Sequence, residues 1–319
     1  MRMLWRRPNN MRNLTFGLIV LGCVLMSSWA VADVALFKGQ PVSVAGITIG
    51  GWGSGSAVEA SERVYEGTRS VKVTTQGLYQ GGRIDYRNPV EIIEPDVDET
   101  SYVHIALVFP SLIRQGSPTF VTPGFGAKSV PDEPTPVASV SPYYYEEEIP
   151  TRPKSNLLRI VLESADGKAV DAMAPVPFDP DDDGWYKISI PFKALGLLGQ
   201  SSFKVSRVLI FTDVPDTFYV GLITTVKDTS PIVVQPGDEQ VVAVGDTVTF
   251  QAEAYGGGTP LRYSWNFAER SGDDGEDAVG RIVSHVFKKG GDYNVKLTVY
   301  DIWGIKKPAT AIHRVIVND

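Results

Sequence analysis

The sequence predicts an all-β chain, two β-sandwiches in series behind an export leader. Three observations carry this. Short stretches rich in Val, Ile, Thr and aromatic residues recur between Gly, Pro and Asp turns, and several alternate apolar with polar side chains, the period of a strand with one wet face. No stretch keeps a sustained helical period, and residues 192–198 suit one short turn of helix at most. The 31 Gly and 22 Pro supply many turn positions, and 319 residues with 43% hydrophobic content leave room for two cores.

The leader comes first. Arg2, Arg6, Arg7 and Arg12 form a positive region ahead of an apolar stretch over residues 14–26, and Ala30-Val31-Ala32 offers a small-residue cleavage site before Asp33. Residues 1–32 therefore read as a signal peptide, with Met11 as an alternative start, and the chain is expected outside the cell or on its surface. Two alternatives stay open. Residues 14–32 are nearly long enough to remain as a membrane anchor. Val20-Leu21-Gly22-Cys23 loosely resembles a lipoprotein box, which would place a lipid on Cys23. That residue is the only cysteine, so cleavage after Ala32 leaves neither thiol nor disulfide. It also leaves 26 basic against 37 acidic side chains, a net charge of −11. Without a basic cluster to neutralise phosphates, nucleic acid is not an expected partner.

Strands are expected over residues 70–75, 102–109, 157–163, 185–190, 205–211 and 218–226, which form a first domain over residues 33–228. A Pro-rich insertion over residues 110–154 interrupts it and carries Tyr143-Tyr144-Tyr145-Glu146-Glu147-Glu148. Its prolines fix φ and remove donors, so it is expected to be extended rather than sheet-forming. Asp228-Thr229-Ser230-Pro231 marks the boundary with a second domain over residues 231–319.

In the second domain, Thr247-Val248-Thr249-Phe250 and Val295-Lys296-Leu297-Thr298-Val299 alternate cleanly, and Gly290-Gly291 supplies a turn. The odd positions of Leu261-Arg262-Tyr263-Ser264-Trp265-Asn266-Phe267 are large and apolar, which predicts a buried central tryptophan in an immunoglobulin-like sandwich. Trp265, His285, the Gly291-x-Tyr293 pair and Leu297-Thr298-Val299-x-Asp301 fall in the order of a PKD domain, which this segment resembles. The resemblance implies an immunoglobulin-like fold, a place on cell-surface or secreted proteins, and a spacer or adhesion role. One motif departs from the family. Where it commonly reads Trp-Asp-Phe-Gly-Asp-Gly, this chain has Trp265-Asn266-Phe267-Ala268-Glu269-Arg270, then an acidic loop through Asp277. His285 and Tyr293 are read as a packed structural pair, and the acidic loop as solvated, with a cation site as its alternative.

The first domain carries weaker patterns. Tyr65-Glu66-Gly67 leading to Ser70-Val71-Lys72-Val73, the Asp183-Gly184-Trp185 turn leading to Pro191, and the strands at Val205 and Phe218 resemble jelly-roll carbohydrate-binding modules of the galactose-binding-like group. In that group an Asp often stands where this chain has Gly221. The resemblance implies a jelly-roll fold and does not by itself name a ligand; a polysaccharide or glycan is the expected partner. Binding a sugar needs aromatic faces flanked by hydrogen-bonding side chains, and the candidates are Trp52, Tyr79, Arg83, Asp85, Tyr143, Tyr144 and Tyr145. Trp52 sits in Gly50-Gly51-Trp52-Gly53, too glycine-rich for a core strand, where it either exposes its indole or covers a core edge. Arg83 and Asp85 share a parity opposite Ile84 and Tyr86, which places them on one sheet face and buries Tyr86 with Ile84. The tyrosine triplet either stacks on ligand or packs the insertion back onto the sandwich.

Asp179, Asp181 and Asp183 match the first half of a calcium loop. The position that needs a bidentate Glu is Ile190, so a capped turn is the simpler reading and a structural calcium ion the alternative. No other cofactor is expected. There is no Gly-x-Ser-x-Gly elbow, and His104, His285 and His313 lack triad partners, so catalysis is not expected. The leading expectation is a non-catalytic glycan-binding surface protein. The alternative is a cell-envelope assembly protein that makes protein contacts, with envelope proteins as partners.

Overall fold

The computed structural model describes residues 34–110, 112–114, 151–177, 180, 183–268 and 275–319. The described residues are almost wholly β. The first sandwich contains β1 (Ala35–Phe37), the four-residue helix α1 (Val42–Ala45), β2 (Ile47–Trp52), β3 (Ser56–Ala60), β4 (Ser70–Thr75), β5 (Gly81–Glu91) and β6 (Ser101–Val108). β7 (Leu112–Arg114) pairs with β8 (Thr151–Pro153). The two ends of the Pro-rich insertion therefore pair with each other in a two-stranded ladder of their own instead of remaining unpaired, because backbone pairing needs only donors and acceptors in register. β9 (Leu157–Ser164), β10 (Ala169–Pro175), β11 (Tyr186–Pro191), β12 (Lys204–Thr212) and β13 (Asp216–Lys227) complete this half.

One sheet runs β11-β6-β13-β4-β3, with β1 also beside β13; the other runs β10-β9-β12-β5-β2. Alternation decides which side chains meet between them. Val103, Ile105 and Leu107 of β6 and Ile188 and Ile190 of β11 face Ile84 of β5, Leu158, Ile160 and Leu162 of β9, and Val208 and Ile210 of β12 in one core. Tyr86 is buried with Ile84 as its parity predicts, and burial pushes its phenol far up. β13 bulges at Gly221. Before the bulge its neighbour is β4, and after it β1 takes that side. The extra residue at Gly221 turns Leu222 onto the same outer face as Tyr219, where both join Ala60, Ala106 and Trp185 in a small second cluster.

The second sandwich contains β14 (Val233–Val234), β15 (Gln240–Ala243), β16 (Thr247–Gln251), β17 (Ala254–Tyr255), β18 (Leu261–Asn266), β19 (Ala278–Val279), β20 (Ile282–Val286), β21 (Gly291–Asp301) and β22 (Ala309–Asn318). A five-stranded sheet, β15-β22-β21-β18-β19, faces the β16-β20 pair. Trp265 is fully buried, as its alternation predicts, against Phe250 at 5.5 Å and His313 at 5.0 Å between ring centres. Its indole N–H donates to the Gly280 carbonyl at 2.8 Å, so the one polar group of this side chain is satisfied inside the core. His285 stacks on Phe267 at 4.0 Å, and Tyr293 lies 4.4 Å from Phe287, which itself touches His285. Both are packing residues on one aromatic column.

Ala268 occupies the position where the PKD motif has its first glycine. Its φ of 57° makes it the one non-glycine in the left-handed region among the described residues. Asn266 Oδ1 accepts the Ala268 N–H at 2.9 Å, and Asp277 accepts from Phe267 N at 2.8 Å, so the start of the turn keeps a glycine conformation without the glycine. Ala268→Gly is therefore expected to raise stability by about 1 kcal/mol. Chemical denaturation checks this, and a loss of stability would show that the backbone is unstrained.

Candidate functional site

The outer face of the β10-β9-β12-β5-β2 sheet concentrates the chemistry. Pairing registers set it out in rows. Glu163 of β9 lies opposite Arg207 of β12, Arg207 opposite Asp85 of β5, and Asp85 opposite Thr48 of β2. In the next row Asp171, Val161, Leu209, Arg83 and Gly50 follow one another across all five strands. Beyond it come Met173, Arg159 and Phe211. Val161, Leu209 and Phe211 form an apolar floor on this outer face, with Trp52 packed against it.

Charged side chains lie over and around the floor. Arg207 gives Nε to Asp85 and Nη1 to Glu163 at 2.8 Å, and its guanidinium stands 5.7 Å from the Trp52 ring. The two carboxylates hold this guanidinium firmly in its charged form. Arg83 Nε also meets Asp85 at 2.8 Å. Arg159 reaches Asp171 at 2.9 Å, donates to the Leu78 carbonyl at 3.0 Å, and lies 4.8 Å from the Tyr79 ring and 5.5 Å from that of Phe211. It thus pins the turn that carries Tyr79, whose side chain stays 71% exposed. Three arginines and three carboxylates leave this patch near neutral. It can stack a ring on an exposed aromatic and offer donors and acceptors to hydroxyls beside it.

Trp52, Tyr79, Arg83 and Asp85 thus belong to one face. Trp52 ends a regular strand, contrary to the glycine argument, because Gly50 and Gly51 pair across the ladder with Arg83 and Gly82. Its indole is half-buried rather than free. Tyr143, Tyr144 and Tyr145 lie outside the described residues, as do Asp179 and Asp181. Asp183 accepts from Trp185 N at 3.0 Å and meets Lys187 Nζ at 3.0 Å, the geometry of a capped turn. Among the described residues no group of three metal-ligating side chains occurs. Glu276 of the acidic loop pairs with Arg262.

Sequence reasoning missed Arg159, Glu163, Asp171 and Arg207. Their signal was a polar residue at the wet parity of an otherwise apolar strand, as in Arg159-Ile160-Val161-Leu162-Glu163. Only the pairing register shows that they share a face with Trp52.

Fold and site together define a two-domain β-sandwich protein with a mixed aromatic and charged sheet face. Residues 228–317 match the family model of the PKD domain, the segment whose motif residues build the Trp265 core. The C-terminal sandwich is a PKD domain, a module of extracellular and surface proteins that serves as adhesion or spacer element. No curated protein matches the chain. Among the described residues no helix is long and apolar enough to cross a membrane.

Proposed function

We propose that the chain is an exported, non-catalytic protein that binds an uncharged glycan on the outer face of the β10-β9-β12-β5-β2 sheet, with the PKD domain as its mount. The observation that carries this reading is the grouping of exposed Tyr79 and half-buried Trp52 with six paired charges on one face. Aromatic rings of this kind supply stacking surface, and fixed ion pairs present oriented donors and acceptors with little side-chain entropy left to lose. Near neutrality of the patch favours a ligand without charge. The leader expected from residues 1–32 and the match to the PKD domain support a location outside the cell, where polysaccharides are met.

Retention of residues 33–319 on a panel of neutral polysaccharides tests this. Tyr79→Ala is expected to weaken retention about tenfold or more, and Trp52→Ala similarly, with thermal stability nearly kept for Tyr79→Ala because its ring is exposed. Retention that both variants leave unchanged would move the site elsewhere, and no retention on any polysaccharide would discard the glycan reading.

The second reading, protein contacts in the cell envelope, has one supporting observation. A cleft of about 650 Å³ between the two sandwiches is walled by Pro175 and Pro177 on one side and by Tyr255, Pro260 and Leu261 on the other. Apolar, aromatic walls of that size suit a protein segment.

A further inference from the structure

We infer that loop 301–306 of the PKD domain is a docking loop that locks this domain onto the open edge of β11, so that the two sandwiches move as one body at a fixed angle. This goes beyond the glycan reading and is independent of it, because the joint uses the β11 edge whereas Trp52 lies on β2, at the edge of the other sheet.

β11 pairs only with β6, so its far edge presents unpaired backbone groups. The PKD domain takes them up at Ser189. Its N–H donates to the Gly258 carbonyl at 2.8 Å, and its own carbonyl accepts the Trp303 indole N–H at 3.2 Å. Trp303 also packs against the first sandwich's main core. Gly258 can lie this close because it has no Cβ: one added there would stand 2.3 Å from Ser189 Oγ and 3.0 Å from His104 Nδ1. Ser189 Oγ and His104 Nδ1 are themselves 2.9 Å apart and buried.

The loop is shaped by contacts within its own domain. Asp301, buried at the end of β21, accepts from Trp303 N at 3.0 Å with one oxygen, and from Ile305 N at 2.9 Å and Lys306 N at 3.0 Å with the other. That turn aims Lys306 at the domain boundary, where its ammonium meets Asp228 at 2.7 Å and the Gly256 carbonyl at 2.6 Å. Asp228 in turn donates its backbone N–H to Thr100 of the first sandwich at 2.9 Å and accepts from Ser230 N. A flexible spacer would leave such groups to water. Here Ser189 of an edge strand and an indole are satisfied across the joint, and a buried ion pair closes the domain boundary beside them, which fixes its angle.

Nuclear spin relaxation on residues 33–319, with amide exchange at Ser189, tests the inference. The expected result is one rotational correlation time shared by both domains and a Ser189 amide protected like those of the ladder. In Trp303→Ala the two domains should tumble separately and Ser189 should exchange about tenfold faster or more, while Ile105 and Val295 amides stay protected and report both folds intact. Separate tumbling in the unaltered protein, or fast Ser189 exchange there, overturns the inference even if Trp303→Ala does not fold. A folded Trp303→Ala with both readouts unchanged overturns the role of the loop.

Discussion

Lys306→Met is expected to lower the unfolding free energy by about 3–5 kcal/mol, the effect of stranding one partner of a buried ion pair. The Lys306 and Asp228 side chains are 6% and 3% exposed, with nitrogen and oxygen 2.7 Å apart. Methionine keeps most of the volume, so the loss reports the charge left on Asp228 rather than a cavity. Adding Asp228→Asn removes that charge, while the amide oxygen can still accept from Ser230 N, so the double variant should recover much of the loss. Urea unfolding of the three proteins measures this. A loss under about 1 kcal/mol for Lys306→Met would mean that water reaches the pair and that it behaves as a surface bridge.

Gly221→Asp should be comparably damaging, by about 3 kcal/mol or more. The structure leaves no room for a side chain at this position. A Cβ at Gly221 would stand 2.3 Å from the Tyr65 Cβ and 2.8 Å from the Trp185 ring. Tyr65 and Trp185 form an edge-to-face pair with centres 5.2 Å apart directly over the bulge. A carboxylate there would collide with the pair and lose its water as well. Gly221→Ala carries the steric part alone and should lose less, and Tyr65→Gly in the same chain should relieve the nearest contact. Thermal unfolding followed by tryptophan fluorescence separates these, and a Gly221→Asp protein as stable as its parent would mean that the Tyr65 segment simply lifts away.

The sequence was most readable where one strand carries its own evidence. Parity within Gly82-Arg83-Ile84-Asp85-Tyr86 sorted two charges from two core residues without any knowledge of neighbours, and the structure buries Ile84 and Tyr86. The same holds for Trp265 in its alternating run. It was least readable for pairings. Arg159, Arg207 and Trp52 come from three separated strands, and only the register of β9, β12, β5 and β2 places them on one surface. His104 illustrates the same limit. It reads as an ordinary strand residue, yet the fold buries it beside Ser189 and Lys187 at the foot of the PKD domain, where burial pushes its imidazole down to about 4 and keeps it neutral.

What the sequence determined by itself was therefore local: the all-β character, the wet and dry parity of strands, and the PKD signature, all consequences of a two-residue side-chain period and of turn-forming residues. What only the tertiary structure decided was non-local. The ion-paired aromatic face, the clash that requires Gly221, and the joint of Trp303, Lys306 and Asp228 each depend on groups far apart along the chain. Their distances follow from sheet order and register, which residue-by-residue periodicity does not encode.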